Sequence, residues 1–100
     1  MELTGKQKRY LRGQGHRIKP VVRIGKQGLA PALLGQQALF HLAHELIKVK
    51  VLEGCPMDKH ACASMIVDAT GAQLAQTVGH TLLLYRPHPE RPNLELPPAG

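Results

Sequence analysis

Gly25-Lys26-Gln27-Gly28 is the stretch of this 100-residue chain whose residue types and spacing most readily do chemistry. Glycines at both ends remove the Cβ atoms that would hold a ligand off, and they tolerate positive φ. Backbone amides in such a loop can close on a phosphate, and a helix starting just beyond points its positive end the same way. Lys26 adds a mobile charge. The same four residues also make an ordinary turn between strand and helix, so spacing alone leaves both readings open.

The charge around the loop favours a polyanion. Eight of the thirteen Lys and Arg fall in the first 26 residues: Lys6, Lys8, Arg9, Arg12, Arg17, Lys19, Arg23 and Lys26. Only Glu2 opposes them there, and the whole chain carries a net charge of +6. Exposed basic faces are usually interleaved with acids; this one is not. KH modules clamp a short run of nucleotides with a comparable glycine loop. Membrane surfaces also attract basic segments, so charge by itself does not choose between them.

Other candidate chemistry is thinner. His41, His44, Cys55, His60 and Cys62 offer metal-ligating atoms, but zinc needs four convergent ligands in paired short spacings and there is no C-x-x-C pair. A buried thiol and surface imidazoles are the simpler account. Asp68 has no carboxylate close by in sequence, Ser64 and Cys62 fall mid-helix without an obvious base, and no P-loop, Rossmann or nucleophile-elbow pattern occurs. No catalytic residue, metal or cofactor is expected. Three aromatic residues (Tyr10, Phe40, Tyr85) and no Trp give little platform for base stacking.

The elements that must position the loop follow from periodicity. One hundred residues suit a single domain. Thr4 with Gln7 has capping-box spacing and opens a helix that should stop at Gly13 or Gly15, with Leu3, Tyr10 and Leu11 on its apolar side and Lys6, Lys8, Arg9 and Arg12 opposite. "VVRI" after Lys19-Pro20 reads as a strand. Pro31 suits the first turn of a second helix reaching about Ala43. In "ELIKVKVL", residues 45–52, Ile47, Val49 and Val51 alternate with Lys48 and Lys50, a half-buried strand. Asp58 caps a further helix with Cys62, Met65, Ile66 and Ala69 as its expected buried stripe, ended by Thr70-Gly71. "QLAQTVG" and "HTLLLYR" form a hairpin around Gly79-His80. The fold class is α/β, in the order α-β-α-β-α-β-β, read as a two-layer sandwich with helices against a small mixed sheet. Proline crowds residues 87–100, so that tail is expected to be extended or disordered. Two cysteines make no disulfide framework, no leading apolar segment or 18-residue apolar run appears, and a soluble protein of a reducing cytoplasm is expected.

Three stretches, "LTGKQKRYLRGQGHRIKPVVRIGKQGL", "HELIKVKV" and "TGAQLAQTVGHTLLLYRP", together resemble one family in order and spacing over most of residues 3–87. It is the CRM domain (chloroplast RNA splicing and ribosome maturation), in its single-domain bacterial YhbY-like form. The resemblance implies a domain over residues 1–86, a fold similar to the C-terminal domain of translation initiation factor three, and a KH-like Gly-x-x-Gly loop. It implies RNA binding without catalysis, with ribosomal RNA of the large-subunit precursor as partner and a role in pre-50S assembly. Carried to this chain, the RNA-binding residues are Gly25, Lys26, Gln27 and Gly28, with Lys6, Lys8, Arg9, Arg12, Lys19 and Arg23 around them. The chain departs from the family pattern at Gly15-His16, where Ala-His is usual, and at Ala30, where Thr or Ser often follows Gly-Leu. Ala30 offers no side-chain cap to the helix amides, which Pro31 offsets in part by fixing φ.

A monomeric RNA-binding module with no membrane or small-molecule partner is therefore the leading expectation. A protein–protein adaptor docking on ribosomal proteins or assembly factors, using Lys48, Lys50 and the Pro-rich tail, is the alternative. A small metal-dependent enzyme is a third.

Overall fold

The computed structural model describes residues 3–29, 44–88, 90 and 96–97. The second helix expected over 31–43 lies outside them, as do Ala30 and Pro31. Within them the order is α1 (Gly5–Gly15), β1 (Pro20–Ile24), β2 (Leu46–Val51), α2 (Lys59–Thr70), β3 (Gln73–Val78) and β4 (Thr81–Tyr85). The four strands form one mixed sheet in the order β1-β2-β4-β3. β1 runs parallel to β2, and β4 is antiparallel to both β2 and β3.

Local chemistry accounts for the ends of the helices. Thr4 accepts from the Gln7 amide at 3.2 Å while Gln7 Oε1 accepts from the Thr4 amide at 3.1 Å, the reciprocal capping box. Asp58 Oδ1 accepts from the Ala61 amide at 2.8 Å and so starts α2. That bond is the main reason the Asp58 carboxyl sits below its ordinary pKa. Gly71, at φ 74°, closes α2 by donating its amide to the Val67 carbonyl at 3.0 Å.

Alternation along the strands divides the core in two. Val22, Ile24, Ile47, Val49, Val51, Leu82 and Leu84 face α2 and pack with Cys62, Ala63 and Ile66. Leu46, Leu83 and Tyr85 face the other way and pack with Leu3 and Leu11 beside α1, with Leu96 against the same cluster. The Pro97 carbonyl accepts from Gln7 Nε2 at 3.1 Å, so these two residues lie against α1.

Two expectations need correction. The sheet is not one layer of a two-layer sandwich: α1 covers one face and α2 the other. The physical reason lies in the hairpin, whose run Leu82-Leu83-Leu84-Tyr85 is buried on both faces and needs a cover on each. The buried stripe of α2 is Cys62, Ala63, Ile66 and Thr70, whereas Met65 and Ala69 lie on the exposed side. Small Ala63 lets the helix sit close to the sheet. Thr70 tolerates burial because its hydroxyl donates to the Ile66 carbonyl at 2.7 Å and accepts from the Ala72 amide at 3.2 Å.

The α1 side depends on close approach at one point. A Cβ built on Gly15 would lie 2.9 and 3.0 Å from the two methyls of buried Leu83. Gly15→Val is expected to lower stability by about 1–2 kcal/mol, overpacking outweighing the gain in helix propensity. In a domain of this size that is a fall in Tm of roughly 4–16 °C.

The buried side chains also set an alkaline limit. Burial, then the Cys55 contact, pushes the Cys62 thiol up to about 11, and burial followed by Glu45 and Tyr10 raises Tyr85. Both groups keep protons in the folded state that the unfolded chain has given up, so stability falls as pH rises. Urea midpoints should decline between pH 9 and about 11, and Cys62→Ala should flatten part of that decline. A flat profile for the unsubstituted chain would contradict this.

Candidate nucleic-acid interface

The glycine turn grows directly from the sheet. β1 ends at Ile24, whose carbonyl accepts from the Leu52 amide at 2.8 Å, one residue beyond the end of β2. Gly28 then donates its amide to the Gly25 carbonyl at 3.0 Å, closing the turn. Gly28 has φ 64°, a left-handed conformation that costs a residue bearing Cβ. Lys26 and Gln27 form the exposed tip, while Gly28 and Leu29 are buried, Leu29 within the α2-side core.

The segment 52–58, which joins β2 to α2, lies against this turn. A Cβ on Gly28 would be 3.5 Å from Pro56 Cγ and 3.7 Å from Met57 Sδ. A Cβ on Gly54 would be 3.1 Å from Lys26 Cγ, so the lysine stem runs over a glycine while its charged end reaches solvent.

Next to the turn, the open part of the α1 side of the sheet carries a row of basic residues. Val22 and Ile24 point to the α2 core, so Arg23 lies on the opposite face; Lys48 and Lys50 share that face, between Ile47, Val49 and Val51. Arg23 is the register partner of Lys50 across β1–β2, and Lys50 the partner of Thr81 across β2–β4. Like charges on neighbouring strands repel, a standing cost that a bound polyanion relieves.

A concavity of about 160 Å³ opens beside them, under the C-terminal end of α1. Arg12 and His16 come to it from the helix, Lys48, Gln76 and Thr81 from the sheet, and Leu83 lines it as well. Among the described residues no carboxylate lines it. The register irregularity between Leu74 and Gln76 puts Ala75 in the α1-side core and leaves Gln76 to the concavity.

The structure thus brings Arg12 together with Lys48, and sets Arg23 just before the turn and beside Lys50. Lys6, Lys8 and Arg9 are exposed on α1, but they belong to its N-terminal half, at whose start the Leu3 amide donates to Gln73 Oε1 at 2.8 Å. Lys19 precedes β1 at the sheet's other end, some ~17–20 Å of extended chain from Gly25. Lys48, Lys50 and His16 are absent from the sequence-derived site. The alternation within 45–52 did show the two lysines to be outward; what it lacked was the register that sets them against Arg23 and Arg12. Among the described residues no group of three His, Cys, Asp or Glu could hold a metal ion, and no helix is long and apolar enough to cross a membrane.

The CRS1 / YhbY (CRM) domain model matches residues 3–86, and the chain belongs to this family. "Probable RNA-binding protein YqeI" of Bacillus subtilis is 43% identical, the match spanning 95% of this chain and 99% of that protein. A Haemophilus influenzae protein named RNA-binding protein is likewise 43% identical, over 95% of each chain. The solution structure of Staphylococcus aureus SAV1595, a hypothetical protein put forward as an RNA binder, superposes with a TM-score of 0.79 at 41% identity. That match covers 96% of this chain and all of the other.

The left-handed turn gives a direct test. Gly28→Ala should cost about 1 kcal/mol, read as a lower urea midpoint at unchanged m-value. Gly25→Ala, where φ is not positive, should be much milder.

Proposed function

We propose that this chain is a non-catalytic RNA-binding module that grips the sugar–phosphate backbone between its glycine turn and the basic face of its sheet. The observation that carries the reading is the meeting of Arg12, His16 and Lys48 around a concavity with no acid among its described residues, beside the Arg23–Lys50 pair that leads into the turn. A solvated structural surface gains nothing from unpaired like charges; a phosphate-binding one does, through release of condensed counterions. The turn acts as a KH-like Gly-x-x-Gly loop, with bare amides and Lys26 against phosphate.

The family resemblance extends the proposal to ribosomal RNA of the large-subunit precursor, to pre-50S assembly in the cytoplasm, and to a monomer whose fold is akin to the C-terminal domain of translation initiation factor three. The names of the relatives support the RNA partner. With few aromatic platforms, selectivity would follow RNA shape more than base identity. The adaptor reading leaned on Lys48 and Lys50. Both now sit in the same basic face as Arg23 and Arg12, which favours RNA over a protein partner.

Fluorescence anisotropy with fragments of large-subunit ribosomal RNA tests this. Lys26→Asp with Gln27→Asp should weaken binding strongly without altering the circular dichroism. Lys48→Gln with Lys50→Gln should weaken it by roughly tenfold and reduce the slope of log K against log salt by about 1.4–1.8. Unchanged affinity at low salt in the turn variant would remove the turn from the interface. A protein partner that survives nuclease and high salt, with no RNA bound, would instead establish the adaptor.

A further inference from the structure

Cys55 and Cys62 are free thiols whose Sγ atoms lie 4.0 Å apart, one in the 52–58 segment and the other in the first turns of α2. Cys62 is fully buried and Cys55 half-buried. A disulfide requires sulfurs at ~2.05 Å, so closure needs an approach of about 2 Å. Cys62 is fixed by the helix, its amide donating to the Asp58 carbonyl at 3.0 Å. Cys55 lies between the Leu52 bond to the end of β1 and the Asp58 cap of α2, its own amide donating to the Leu52 carbonyl at 3.0 Å. Whatever backbone movement closure needs, beyond rotation of the two side chains, therefore falls on the segment carrying Cys55.

That segment is also the support of the glycine turn. Pro56 and Met57 stand where a Cβ on Gly28 would meet them, at 3.5 and 3.7 Å, and a Cβ on Gly54 would meet the stem of Lys26. We propose that Cys55 and Cys62 are a peroxide-sensitive thiol pair, and that closing them to a disulfide disturbs the packing of the 52–58 segment beside the glycine turn and weakens polyanion binding there. The consequence for binding rests on the function proposed above; the closure itself does not.

The chemistry balances with hydrogen peroxide as the oxidant. The thiolate of Cys55, the more accessible sulfur, attacks one peroxide oxygen; the O–O bond breaks, Cys55 becomes a sulfenic acid, and hydroxide leaves and is protonated to water. The Cys62 sulfur then attacks the Cys55 sulfur, the S–O bond breaks, and a second water departs with the Cys62 proton. Two thiols and one peroxide give one disulfide and two waters. The raised pKa of Cys62 makes it a poor first target and leaves that role to Cys55. Proximity replaces thiolate fraction as the driving factor in the second step.

Full-length protein treated with hydrogen peroxide should lose two hydrogens by intact mass, remain monomeric on a non-reducing gel, and lose both thiols together. Its affinity for the same ribosomal RNA fragment should fall by roughly fivefold or more and recover with dithiothreitol. Cys55→Ser, a change at a half-exposed position, should keep its affinity through the same treatment. Cys55 over-oxidised while Cys62 stays free, or disulfide-linked dimers, would overturn the thiol pair. A closed disulfide with unchanged RNA affinity would overturn its coupling to the turn. Should the reduced protein bind no RNA, the functional reading fails while the mass and thiol counts still decide the pair.

Discussion

The parallel pairing of β1 with β2 is the constraint on which the rest of this structure depends. Parallel strands end on the same side, so the segments leaving them lie next to each other. The bond from the Leu52 amide to the Ile24 carbonyl carries the ladder one residue past β2. It thereby fixes the origin of the glycine turn against the origin of the 52–58 segment. The placing of the Lys26 stem beside Gly54 and of Pro56 beside Gly28 follows from that one register. An antiparallel pairing of the same strands would send the two segments to opposite ends of the sheet.

The same pairing decides where charge collects. In β2 the period of two gives Ile47, Val49 and Val51 to the α2-side core and Lys48 and Lys50 to the other face. Register then brings Arg23 beside Lys50 and leaves the basic row open past the end of α1. α1 covers only part of that face because it is anchored by Leu3 and Leu11 over Leu46, Ala75, Leu83 and Tyr85. Its C-terminal end approaches Leu83 closely at Gly15, where an added Cβ would lie 2.9 Å from a Leu83 methyl. Arg12 and His16 therefore arrive at Lys48 as a consequence of core packing, with no contact of their own required.

Much of this was legible in the sequence, for identifiable reasons. The capping box at Thr4 and Gln7, the Asp58 cap and the Gly71 stop are local signals, readable because the residues that satisfy the helix ends lie within a few positions. The alternation of 45–52 and the hairpin at Gly79-His80 are equally local. What could not be read was whatever depends on distant partners. Periodicity says that Leu83 and Leu84 point apart; it does not say that each meets a helix, and hence that the sheet has two covers. In α2 hydropathy ranks Met65 above Thr70, yet Thr70 is buried because its hydroxyl is satisfied by Ile66 and Ala72. For the site, the family resemblance sets Lys19 among the residues around the turn, and β1 places it at the other end of the strand from Gly25.

Lys48 and Lys50 show what nearness along the chain leaves out. Polyanion contact is a property of a surface, and a strand contributes every second residue to it. Nearness along the chain is therefore the wrong measure of membership. The relevant neighbours of Lys50 are Arg23 and Thr81, far off in sequence and adjacent in the ladder. A helix face such as Lys6, Lys8, Arg9 and Arg12 looks more basic on paper because its charges are written close together. Along α1, however, they spread over about 1.5 Å of rise per residue, and only its C-terminal end overhangs the open part of the sheet. The unpaired charges have a folding cost, since Arg23 and Lys50 repel where an acid on either strand would attract. Partly buried Lys48 adds to it, because its stem is held against the sheet while no described residue brings a carboxylate to the concavity. A core closed on both sheet faces is what lets the fold carry that cost, which makes the two-sided burial of the hairpin a precondition of the basic surface as well as a feature of the architecture.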